Sequence, residues 1–196
     1  SRPGGSVPAA TRDRLIDAAS ELFRRQGMTG TGVKEILLAA HAPFSSLYHH
    51  FPGGKDQLAA EAIIAAGTGY QQLVEAVWDA APDLASGVAA VFDGAAEVLA
   101  ATDYADACPI ATVALEVAST NEPLRLATAQ VFDAWIEAAS GRLGRGGIPG
   151  PQAASLARSV IALLEGAFVL SRAAKSTEPM RAARDAAVTL VRAHSA

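Results

Sequence analysis

The sequence predicts an all-α protein, and three observations carry that reading. Ala, Leu and Val dominate a chain that is 51% hydrophobic, and alanine favours helix because it loses no side-chain entropy there. Apolar residues recur at three-and-four spacing in segment after segment, and no stretch alternates convincingly as a strand. Prolines and glycines stand where such segments begin and end. At 196 residues the chain suits one or two domains with a real core.

Residues 1–10, SRPGGSVPAA, read as a flexible arm and lack the apolar stretch of a signal peptide. From Thr11 a helix is expected, with Leu15, Ile16, Ala19, Leu22 and Phe23 on one face, Thr11 as N-cap and Gly27 as stop. A second helix over 32–40 places Val33, Ile36, Leu37 and Ala40 inward, with Thr31 as its cap. A tight turn at His41-Ala42 leads to a short third helix over 43–50, with Pro43 in its first turn. After Pro52-Gly53-Gly54 a long helix runs from Lys55 to about Ala80, with Leu58, Ala62, Ile63, Leu73, Val77 and Trp78 as its stripe. Further helices are expected near 83–103, 109–119, 122–143, 151–175 and 178–194, with a long loop from Gly141 to Gly150.

The single cysteine, Cys108, excludes a disulfide within the chain and fits a reducing cytoplasm. No run approaches the ~18 apolar residues of a membrane helix, so no membrane partner is expected. The net charge is −4 but unevenly spread: residues 1–55 hold seven basic and four acidic side chains, the remainder nine and sixteen. A basic head on an acidic body is the asymmetry of a protein whose head alone meets phosphate, although a solvated basic helix gives it too.

Two short helices joined by a tight turn can read DNA when the second enters a major groove about 12 Å wide. The stretch SLYHHFPGGKDQL, Ser46 to Leu58, resembles the end of the TetR-family DNA-binding domain through Tyr48, Phe51, Lys55 and Asp56. Ile16, Ala19, Phe23 and Gly27, then Thr31, Val33 and Ile36, extend the likeness over residues 11–58. The segment HHFPGGK, with CPIATVALEVAS around Cys108, resembles the subgroup containing LmrA and YxaF. The resemblance implies a three-helix DNA-binding domain over 11–58 and a larger helical ligand-binding and dimerisation domain over 59–196. It implies a homodimer that acts as a repressor on a palindromic double-stranded operator, released by a small apolar or aromatic effector and needing no cofactor.

The resemblance further implies that Pro43, Phe44, Ser45, Tyr48 and His49 face DNA. Physical chemistry agrees in part. The Tyr48 hydroxyl can donate to phosphate, and Lys55 adds charge to a helix start. Thr31 and Lys34 can do the same at the second helix. Pro43, Phe44, Ser45 and Ser46 head the reading helix, where base-edge contacts gather. Against these stand plainer readings, with Tyr48 and Phe51 as core residues and His49, His50 and Lys34 as solvated ones. Three departures from the family pattern stand out: His41 where Gly is usual in the turn, Phe44 where Arg or Lys is common, and Ser45 where Gly is common. They keep open an alternative, a module of the same fold that has lost specific DNA binding.

Phe92, Leu99, Ile110, Val113, Val117, Phe132, Trp135, Leu164 and Phe168 lie on apolar faces of the body. They read as core first, and by resemblance as the wall of an effector pocket. Glu116 and Glu165 stand inside apolar runs and are its candidate polar anchors, or else members of an exposed face or an internal salt bridge. The last two helices are expected to pair with a partner's through Leu156, Val160, Leu163, Ala167, Leu170, Ser171, Val188 and Val191. The long helix is expected to carry the effector signal, as the one element running from DNA into the body. No metal site is expected: adjacent His49 and His50 point apart on a helix, and His41 and His194 stand elsewhere. No nucleophile elbow or phosphate-binding glycine loop is present, so an enzyme is not expected.

Overall fold

A computed structural model describes residues 10–106, 108–117 and 119–195, and the described residues form nine helices and no strand. The arm expected over 1–10 lies, apart from Ala10, outside the described residues. Helix α1 spans Thr11–Gln26, α2 Val33–Ala39, α3 Ser45–His50 and α4 Gly54–Asp79. The body adds α5 Leu84–Ala101, α6 Pro109–Val117, α7 Glu122–Arg145, α8 Gly150–Ala174 and α9 Glu178–His194.

Helix α1 buries Leu15, Ile16, Ala19 and Phe23, the stripe its periodicity predicts. It packs on α2, α3, α4 and α6. Phe51, fully buried, closes the bottom of the head under the guanidinium of Arg12, which lies 5.4 Å from the ring centre. Two expected caps are corrected. Thr11 is the first helical residue rather than the cap of α1. The cap of α2 is Gly32, and the Thr31 hydroxyl, buried, donates to the Gly27 carbonyl at 2.7 Å. His41 has φ of 49°, the left-handed conformation the usual glycine would adopt freely; a side chain there costs about 1 kcal/mol.

Helix α4 runs unbroken from the head into the body. It crosses α7 so closely that a Cβ at Gly67 would overlap the Val131 side chain. That proximity lets Trp135 Nε1 donate to the Gly67 carbonyl at 2.9 Å. Arg142 on α7 holds Asp79 on α4 through two bonds of 2.9 Å. Helix α9 lies against α5 and α8, with Arg184 reaching Asp93 at 2.7 Å.

Two expectations about the body change. The loop expected from Gly141 is shorter, because α7 continues to Arg145 and only 146–149 connect it to α8. Helices α5 and α8 are long and apolar enough, by length and composition, to cross a membrane. Asp93 and Glu97 interrupt α5, however, and both helices pack within the bundle.

Candidate nucleic-acid interface and ligand cavity

Helix α3 is anchored by Leu47, buried against the head. Its opposite face is open. Phe44 and Tyr48, one turn apart, are 60% and 57% exposed, with ring centres 6.3 Å apart. Pro43, Ser45 and His49 are exposed beside them, and Lys34 is exposed on α2. Lys34, Pro43, Phe44, Ser45, Tyr48 and His49 are thus all open to solvent.

Three residues expected at that surface are otherwise engaged. Thr31 is buried, with its hydroxyl turned to Gly27. Ser46 faces the core side of α3 and is 9% exposed. Lys55 is half-buried, and its Nζ donates to the Met28 carbonyl at 2.8 Å, holding the α1–α2 turn. Other cations of the head are also spent internally: Arg12 pairs with Glu61, Arg24 with Glu21 and Asp106, and Arg14 donates to the Ala40 carbonyl at 3.0 Å. The Lys34 side chain makes no ion pair or hydrogen bond among the described residues.

A cavity of about 700 Å³ lies between α1, α4 and α5, and Tyr70, Cys108 and Phe168 are among the residues that line it. Its apolar wall includes Leu73, Val74 and Val77 from α4 and Val91 and Val98 from α5. Its third wall is α1, through Asp17, Ser20, Glu21 and Arg24. Arg24 bonds Glu21 on its own helix at 2.6 Å and pairs with Asp106 of the body. The Arg24 guanidinium holds the Glu21 carboxyl below its usual range.

Most of the expected pocket residues are elsewhere. Phe92, Leu99, Ile110, Val113 and Val117 are buried in the core and line neither this cavity nor the smaller one beside Trp135. Phe132 packs edge-on against Trp135, with centres 5.5 Å apart. Trp135 and Leu164 line a second space of only about 60 Å³, and Phe168 alone of the set reaches the large cavity. Glu116 is exposed and lies outside both cavities; its Oε2 accepts the Thr29 N–H of the head at 3.0 Å. Glu165 is in the body's interior beside Cys108, with both carboxylate oxygens buried. Burial raises its pKa to about 7, and burial likewise pushes Cys108 and Tyr70 upward.

The sequence reading missed Asp17, Glu21, Arg24, Tyr70 and Asp106. Residues 17, 20, 21 and 24 share the polar face of α1 by helical spacing, a detectable signal, but one that reads as a solvated face. Five of the eight expected dimer residues, Leu156, Val160, Ala167, Ser171 and Val191, are buried inside the chain itself. Leu170, also expected, is exposed; beside it the outward face of α8 carries Ala162, Gly166 and Val169, and that of α9 Ala186 and Leu190. Leu163 and Val188 are half-buried at its edges.

Comparison with known proteins gives two family matches. Residues 15–62 match the model described as bacterial regulatory proteins, tetR family. Residues 85–186 match that of the transcriptional regulator LmrA/YxaF-like C-terminal domain. The HTH-type transcriptional regulator LmrA of Bacillus subtilis is 32% identical over 170 residues, covering 87% of this chain and 90% of LmrA. YxaF of the same organism, an uncharacterized HTH-type transcriptional regulator, is 30% identical over 182 residues, covering 93% and 95%. Among solved structures, a regulatory protein TetR from Rhodobacter sphaeroides superposes with a TM-score of 0.79 at 20% identity, over 93% of this chain and 99% of that one.

Proposed function

The chain belongs to the TetR family of bacterial transcriptional regulators, with a C-terminal domain of the LmrA/YxaF kind, and from that premise we propose that it is a cytoplasmic, ligand-responsive repressor. It is a helix-turn-helix regulator and not an enzyme. In this reading residues 11–58 form the DNA-binding head, residues 59–196 bind the effector and dimerise, and no membrane is involved. The open face of α3 carries the reading. Its aromatic pair, Phe44 and Tyr48, is held outward by a buried Leu47 with no other task inside the chain.

Phe44 presses on a thymine methyl, and Ser45 and His49 meet base edges. Tyr48 and Lys34 contact phosphate and set the register. Two chains pair through the outward faces of α8 and α9, whose small residues allow close approach and whose Leu170 is 60% exposed. The pairing places two reading helices about 34–36 Å apart, one turn of DNA, so the operator is palindromic. An apolar effector in the α1–α4–α5 cavity then releases it.

A mobility-shift and footprinting experiment on DNA upstream of the protein's own gene tests this. A symmetric protected site, lost in Phe44→Ala together with Tyr48→Ala, is the expected result. Absence of any protected site at low salt would favour the alternative, a module of the same fold without DNA binding, which Phe44 in place of a cation keeps in play. For the dimer, Leu170→Arg is expected to give a folded monomer by light scattering; an unchanged dimer would move the interface elsewhere.

A further inference from the structure

We infer that the protein recognises its DNA through the 5-methyl group of a pyrimidine, gripped by Phe44, so that thymine and 5-methylcytosine are accepted alike while uracil and unmethylated cytosine are discriminated against. The inference rests on the proposed role of α3 as the reading helix and names the base chemistry that helix selects. The segment 43–50, PFSSLYHH, contains no Arg, Lys, Asn, Gln, Asp or Glu. Those six side chains tell base pairs apart in the major groove by hydrogen bonds. Arg and Lys grip the two acceptors of guanine, Asn and Gln the donor and acceptor of adenine, and Asp and Glu the amino group of cytosine. A reading helix without them is left with apolar contact.

The open face of α3 supplies that contact. Phe44 and Tyr48 stand one turn apart with ring centres 6.3 Å apart, and both are more than half exposed. Phe44 heads α3, where a reading helix meets base edges, and its ring carries no polar atom. The apolar feature of a base edge in the major groove is the C5-methyl group. Thymine and 5-methylcytosine share it; cytosine and uracil lack it. The neighbouring side chains do not override this choice. Ser45 is exposed, but its hydroxyl both donates and accepts and so fits either pair. His49 is exposed, and its ring nitrogens exchange donor and acceptor roles with the tautomer. Ser46 and Leu47 are buried toward the head. With its hydroxyl on phosphate, Tyr48 sets its ring beside that of Phe44 and widens the apolar surface offered to the methyl.

Selection of random DNA duplexes by the full-length protein supplies a bound sequence, and fluorescence-anisotropy titration of that duplex tests the inference base by base. The expected sequence holds, in each half, a thymine whose replacement by deoxyuridine weakens binding. One buried methyl contributes about fourfold, so replacement in both halves costs on the order of tenfold. 5-Methylcytosine at the same positions is expected to bind within about threefold of thymine, and cytosine to bind as weakly as deoxyuridine. Phe44→Ala, a change at an exposed residue, is expected to bind the thymine and deoxyuridine duplexes equally. Phe44→Arg is expected to select guanine at that position instead. Tolerance of deoxyuridine at every thymine of the selected duplex, or an undiminished deoxyuridine penalty in Phe44→Ala, would overturn the inference. An enriched sequence that is indifferent to the methyl group sinks this inference alone and leaves recognition to DNA shape. No enriched sequence at all would overturn the DNA-reading role of α3, and this inference with it.

Discussion

The carboxylate of Glu116 occupies the place where a side chain at Gly27 would lie. Gly27 ends α1 with φ of 75°, and a Cβ there would overlap Glu116 Oε1. The same carboxylate accepts the Thr29 N–H at 3.0 Å, so α6 of the body grips the α1–α2 turn of the head. Lys55 grips that turn from α4 through the Met28 carbonyl. With Arg24–Asp106, three polar contacts gather at one end of α1, and those of Glu116 and Asp106 come from the body.

Gly27→Ala is therefore expected to destabilise the protein through both backbone strain and overlap, by about 1–3 kcal/mol. In a Glu116→Ala background the overlap is gone and only the strain, ~1 kcal/mol, remains. Urea unfolding of the four proteins measures the coupling. Strictly additive losses would refute the contact.

His41→Gly is expected to raise stability. His41 adopts φ of 49°, and removing the side chain relieves strain of about 1 kcal/mol, partly offset by the greater freedom of glycine when unfolded. The denaturation midpoint checks it. A loss of stability would mean that the imidazole makes a contribution larger than the strain.

Lys34 and Lys55 are expected to behave differently. Lys34→Ala weakens binding about equally on all DNA sequences and lowers the slope of log affinity against log salt by roughly one. Lys55→Ala instead loosens the head by removing the Met28 contact, which thermal melting reports without DNA. A Lys55→Ala protein with normal melting and a reduced salt slope would return Lys55 to the phosphate surface.

Glu165 makes stability depend on pH in a defined direction. Its carboxyl titrates near 7 when folded because it is buried, against 4.5 as its ordinary value. Between those values the unfolded chain has lost the proton and the folded chain keeps it. This contribution is thus fully present below about pH 4.5 and is lost as pH rises through 7, by on the order of 3 kcal/mol. Glu165→Gln is expected to flatten that part of the stability–pH curve and to be the more stable protein at pH 8. Parallel curves for the two proteins would show that Glu165 is ionised throughout.

The helices, the helix-turn-helix and the family likeness were legible in the sequence because all are local. A 3.6-residue period says which residues share a face, a proline or glycine says where a helix starts or stops, and residues 46–58 carry their motif in thirteen consecutive positions. Tertiary structure decided what covers each face. Leu156 and Leu170 are both apolar residues of α8, yet one is buried by its own chain and the other is 60% exposed. Glu116 and Glu165 both interrupt apolar runs, yet one holds the head from outside and the other is enclosed beside Cys108. Asp17 and Arg24 show only a charged helix face until α5 arrives opposite and turns that face into the wall of a cavity. Periodicity fixes direction along one helix, but the partner on that side comes from another helix, and no local pattern encodes which one it is.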